Sequence, residues 1–131
     1  MLQSMDRQII ATANAPQSPL YSQGVRAGSM IHVSGMVGID PATGKLAGSS
    51  IQDQTRQALR NCEAILLAGG STLANVTLVT VLLAHPDDFA GMNEAYAVFF
   101  DQSPPARAVT RLGPDLPGIR VSIMMAAHVD S

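Results

Sequence analysis

Apolar residues recur along this chain with a period of two in some stretches and of three to four in others, and the order of these stretches predicts a mixed α+β fold. Arg7 to Ala13 reads as a first strand, and the Pro-rich segment from Ala15 to Tyr21 cannot continue a ladder, so a loop ends at Tyr21. Gly24 to Ala27 and Met30 to Gly35 pair as a hairpin across Gly28 and Ser29, with Ile31 and Val33 on one face and His32 and Ser34 on the other. Asp40-Pro-Ala-Thr-Gly44 is turn chemistry. Ser50 then caps a long helix whose apolar stripe runs Ile51, Thr55, Ala58, Cys62, Ile65, and Gly69-Gly70 stops it.

Val76 to Ala84 is short and β-branched, the pattern of a central strand covered on both faces. Pro86 opens a second helix, with Asp87 and Asp88 at its positive end and Phe89, Met92, Tyr96, Phe99 and Phe100 on its apolar face. After Ser103-Pro-Pro, Ala106 to Leu112 resumes as a strand, Gly113 to Gly118 turns the chain, and Ile119 to His128 is the last strand. In it Ile119, Val121, Ile123 and Met125 oppose Arg120, Ser122, Met124 and Ala126. The pattern therefore predicts one domain over residues 1–131: a single mixed sheet with both helices on one face. The bare face of that sheet must meet another subunit.

Composition strengthens this expectation. Apolar residues make up 47 % of the 131 residues and charged residues only 14 %, more apolar surface than one small core absorbs. A net charge of −2, with no run of Lys or Arg, offers no field for a polyanion, so nucleic acid is not an expected partner. The lone Cys62 excludes an internal disulfide and suits a reducing compartment. No apolar leader core occupies Met1 to Arg7, and no stretch approaches the roughly 18 apolar residues of a membrane span, so a soluble cytoplasmic protein is expected.

The chemistry-bearing candidates are few. Arg107 starts a strand among small and apolar neighbours, where its fork of donors suits a carboxylate. From the pattern alone a strand-end arginine that reaches water or pairs with an aspartate is the commoner outcome. Tyr21, Ser34 and Asn93 are polar groups near element ends that can orient a ligand, although each alone is more often structural. His32, His85 and His128 lack metal-ligand spacing, and Gly35-Met-Val-Gly38 lacks the spacing of a phosphate cradle, so neither metal nor nucleotide is expected. Cys62, on the helix stripe, is a small buried hydrophobe.

Taken in order, Pro19-Leu-Tyr-Ser-Gln-Gly24, Ile31-His-Val-Ser-Gly35, Gln54-Thr-Arg-Gln-Ala-Leu-Arg-Asn61, Asp88-Phe89 with Met92-Asn-Glu-Ala-Tyr96, and Pro105-Ala-Arg-Ala108 resemble the successive signatures of the RidA (YjgF) family. The resemblance spans about Ile9 to Ala127. It implies a chorismate mutase-like α+β fold, a homotrimer whose sheets line a central barrel, and active sites between subunits. It implies hydrolysis of reactive 2-imino and 2-enamino acids, such as 2-aminoacrylate, to 2-keto acids and ammonia, without a cofactor. It places the family's carboxylate-binding arginine on Arg107, its loop tyrosine on Tyr21, its strand serine on Ser34 and its helix asparagine on Asn93. Two pocket positions depart from the best-studied members: Val109 stands where those carry a cysteine, and Ser122 where they carry a glutamate. Ser122 is no carboxylate base near neutral pH. His32 is then a speculative substitute proton carrier, with a structural role the weightier expectation. A carboxylate-binding or chaperone-like trimer without turnover, or a deaminase of a larger imine, stands beside the first expectation.

Overall fold

A computed structural model describes residues 6–130. The segment Met1 to Met5, which holds most of the N-terminal stretch considered above, lies outside the described residues, as does Ser131. The strands are β1 (Gln8–Ile10), β2 (Gly24–Ala27), β3 (Met30–Val37), β4 (Ile39–Asp40), β5 (Lys45–Leu46), β6 (Val76–Leu83), β7 (Ala106–Arg111) and β8 (Val121–His128). The helices are α1 (Ile51–Ala68) and α2 (Phe89–Phe99). Six strands form one sheet in the order β1-β2-β3-β8-β6-β7, and β4 and β5 form a separate small hairpin. All pairings in the large sheet are antiparallel except β6 with β7, the one joined through a helix.

Both helices pack on one face of this sheet. Ile51, Ala58, Leu59, Cys62, Ile65 and Leu66 of α1 and Met92 and Tyr96 of α2 join Ile31, Val33, Val79, Val81 and Ile123 in one buried cluster. The predicted stripe of the first helix is therefore the observed one, and Ser50 caps it by accepting from the Asp53 amide. The opposite face is open: Leu78 and Met124 are each 44 % exposed there. Within one chain β6 is thus covered on one side only, and the other side is the face that the sequence assigns to another subunit.

Several boundaries differ from expectation for identifiable reasons. β1 ends at Ile10 because the Gln23 side chain captures the next backbone groups, accepting from Thr12 N at 2.7 Å and donating to Thr12 O, Ala15 O and Pro16 O. β3 runs on to Val37, but its pairing with β8 shifts between Val33 and Met36, a bulge in which Ser34 and Gly35 take the place of one residue. Pro86 to Asp88 form a 3-10 turn before α2, and the Asp88 carboxylate turns to Arg120 rather than capping the helix. β8 begins at Val121 because the Arg120 amide is engaged by Gln54. Phe89, expected on the apolar face of the second helix, is 46 % exposed.

Candidate active site

β7 is an edge strand, and its register against β6 sets Arg107 opposite Val79 and Val109 opposite Val81. Val79 and Val81 are fully buried under the helices, so Arg107 and Val109 face the helix side of the sheet. Val109 packs against the core, while Arg107 reaches α2. There its Nη1 donates to Asn93 Oδ1 at 2.7 Å and lies 4.0 Å from Met92 Sδ. The guanidinium stacks over the Tyr96 ring, 4.8 Å from its centroid, with Phe89 at 5.9 Å. Among the described residues no carboxylate lies within 4.0 Å of Arg107. Of the two outcomes that the sequence pattern favours, the aspartate pair is not formed, while Arg107 itself is exposed.

Burial raises the Tyr96 phenol above its ordinary ionisation range, and the Arg107 charge partly offsets that rise. The Tyr96 hydroxyl is buried without a hydrogen-bond partner among the described residues. The ring therefore serves as an apolar floor beneath the guanidinium.

Tyr21, Ser34 and Ser122 occupy a second place. Ser34 Oγ donates to Ser22 O at 2.5 Å and its backbone amide donates to Gln23 O at 2.9 Å, so the bulge in β3 holds the end of the Pro-rich loop. Tyr21, next to this anchor, is 51 % exposed. Ser122 points away from the buried Val121 and Ile123, onto the helix-free face, and its Oγ lies against Gly35, where an added Cβ would come within 2.8 Å. Ser34 and Arg107 are three strands apart in the sheet, about 14 Å at ordinary strand spacing, and Ser122 and Arg107 occupy opposite faces. One chain gathers Arg107, Asn93 and Val109 in one half-site and Tyr21, Ser34 and Ser122 in another.

The predicted residues omit the two rings. Phe89 and Tyr96 sit three and four residues from Asn93 and Met92, so helical spacing sets them along one side of α2. His32 lies exposed in the middle of β3, opposite Ala126. Cys62 is wholly buried, its thiol facing the Ile123 carbonyl, and burial pushes its ionisation far upward. Among the described residues no three His, Cys, Asp or Glu side chains cluster as a metal ion requires, and no helix is long and apolar enough to cross a membrane.

A family model described as Endoribonuclease L-PSP matches residues 12–129. The chain belongs to that family, the RidA (YjgF) family of the sequence resemblance. Among RidA relatives, a RutC family protein of Pyrococcus horikoshii is 46 % identical over 115 residues, 84 % of this chain and 90 % of its own length. A mouse protein named 2-iminobutanoate/2-iminopropanoate deaminase is 40 % identical over 123 residues, 93 % of this chain and 91 % of its own. The crystal structure of Escherichia coli TdcF with bound serine superposes with a TM-score of 0.86 at 34 % identity, covering 94 % of this chain and 99 % of that one. The α+β RidA fold, with two helices on a mixed sheet, is thus shared.

Proposed function

We propose that this RidA protein hydrolyses 2-imino and 2-enamino acids to 2-oxo acids and ammonia, in sites formed between copies of the chain. The observation that carries this reading is Arg107: a guanidinium without a carboxylate partner among the described residues, oriented by Asn93 and stacked on Tyr96 at the edge of the sheet. A charged fork fixed in this way is suited to a small carboxylate. The naming of relatives that share about 40 % identity over 93 % of the chain as 2-iminobutanoate/2-iminopropanoate deaminases supports the reaction.

The chemistry asks little of the protein. With the substrate carboxylate on Arg107, a water attacks the adjacent imine carbon and forms the C–O bond. The water's protons pass to nitrogen, the C–N bond breaks, and ammonia leaves a 2-oxo acid. Holding the imine carbon and the water in attack geometry is the main contribution. Tyr21 and Ser34 of a neighbouring copy are the groups proposed to complete the pocket, because in one chain they lie too far from Arg107 to share a ligand with it. Asn93 holds Arg107 and Val109 walls the pocket, while Ser122, on the opposite sheet face from Arg107 in one chain, comes with Tyr21 and Ser34 from the neighbouring copy and positions water as a hydroxyl. The open sheet face, with Leu78, Met124 and small Ala106, Ala108 and Ala126, supports a homotrimer closed around a central barrel. A cytoplasmic location accords with the reduced, buried Cys62.

The test is a coupled assay in which a threonine dehydratase releases the imine and 2-oxobutanoate formation is followed. The protein accelerates this step, and Arg107→Ala lowers kcat/KM by about 100-fold. No acceleration by the intact protein overturns the reading. Ser122 and Val109 favour one alternative, a trimer that binds carboxylates without turnover. Calorimetric binding of 2-oxobutanoate with no acceleration of the imine would establish that alternative.

A further inference from the structure

The edge strand that carries Arg107 presents a second arginine on the same side. In β7 the residues Arg107, Val109 and Arg111 stand opposite Val79, Val81 and Leu83, the row of β6 buried beneath the helices. Past Val109 the surface opens into a cleft of about 620 Å³ whose lining includes Arg111, His85, Leu112, Asp115, Leu116 and Arg120.

The walls of this cleft are built rather than incidental. Gln54, wholly buried in α1, donates to Gly48 O at 3.2 Å and Gly118 O at 2.9 Å and accepts from the Arg120 amide at 2.8 Å. Arg120 is itself committed, to Asp88 at 3.1 Å and to Ser49 O at 2.8 Å. Arg111 is not. Among the described residues no carboxylate lies within 4.0 Å of it, and Asp115, which shares the cleft, forms no ion pair with it. An uncommitted guanidinium at a prebuilt cleft, on the same strand face as the carboxylate clamp, matches a ligand with a second anionic end.

We infer that the preferred substrates are 2-imino dicarboxylic acids of four or five carbons, the carboxylate beside the imine held by Arg107 and the distal one by Arg111. Four residues of parallel strand separate the two arginines, about 13 Å. A five-carbon dicarboxylate spans about 5 Å between its carboxyl carbons by ordinary bond lengths. Paired hydrogen bonds of about 2.9 Å add about 4 Å at each end between the carboxyl carbon and the guanidinium carbon, so such a ligand joins guanidinium carbons about 13 Å apart, a span that two arginine side chains rising from one strand face at that Cα spacing can present. Val109, between them, offers an apolar surface to the methylene chain, which a polar residue there would not. The inference rests on the deaminase reading and specifies its substrate class.

The test compares product-shaped probes on the intact protein. Calorimetry with 2-oxoglutarate and 2-oxobutanoate is expected to show the dicarboxylate binding about tenfold or more tightly, the effect of one additional charge-assisted hydrogen-bonded contact. Arg111→Gln collapses that preference, and Arg111→Lys restores part of it. With an amino-acid oxidase supplying 2-iminoglutarate, the variant's loss falls mainly on KM for the dicarboxylate imine. Equal affinity of the wild type for both probes, or a preference that Arg111→Gln does not move, overturns the inference. If 2-oxobutanoate binds and its imine is hydrolysed in those same experiments, the deaminase reading survives that failure. If neither probe binds and neither imine is accelerated, both fall.

Discussion

Arg107 is held without a carboxylate partner among the described residues because neighbouring groups divide the work: Asn93 accepts one of its donors, and Tyr96 and Phe89 offer π faces. A lysine has neither the fork nor the stacking plane, so Arg107→Lys should retain far less than half of the imine hydrolysis, measured as kcat/KM in the coupled assay. Tyr96 reports on the same contact. Its phenol ionises above the ordinary 10.0 in the folded chain, so the native state holds that proton more firmly than the unfolded state does. The associated stability is complete below about pH 10 and is lost as pH rises through the folded-state value. Removing the Arg107 charge should raise that value further, seen as a later rise of tyrosinate absorbance in Arg107→Ala. Cys62, buried and pushed far above the usual thiol range, should resist alkylation in the native protein and react only on unfolding.

Between elements, a single amide joins α1 to both walls of the cleft. Gln54 lies four residues before Ala58 on the buried side of the helix, so its polarity at an apolar position is the sequence signal of a structural clamp. Gln54→Leu leaves two carbonyls and one amide without their partner and should cost about 2–4 kcal/mol, read as a lower urea midpoint. Close approach sets a second constraint. A Cβ at Gly38 would lie 2.6 Å from Gln54 Cα, so the backbones of the β3–β4 connection and α1 meet only through glycine. Helix spacing, the Ser50 cap and the alternation of the last strand were legible in the chain. The bulge at Ser34 and Gly35 was not, because local alternation continues through it and only pairing with β8 reveals the shift.

At the scale of the whole molecule, the order of the strands separates the candidate residues. Arg107 lies on the outermost strand and Ser34 three strands inward, so a pocket that uses both takes its halves from two copies. The helix-free face offers the surface for that assembly. Wild-type protein should sediment as a trimer of the 13.7 kDa chain, and Leu78→Arg, which sets a charge in the exposed centre of that face, should yield monomers and abolish imine hydrolysis together. A Leu78→Arg monomer with full activity would show that one chain suffices.

The sequence by itself determined the two helices, the main strands, most of their apolar faces and the family, because periodicity, caps and ordered motifs are local properties of the chain. It also singled out Arg107, Asn93, Tyr21 and Ser34. Which of them meet was decided only by the tertiary structure, since contact across the sheet depends on strand order and register that no local signal encodes. The aromatic bed under Arg107 and the cleft beside Arg111 have the same origin: residues far apart in the chain became neighbours when the edge strand docked against α2 and the Gly113 to Gly118 turn folded over Gln54.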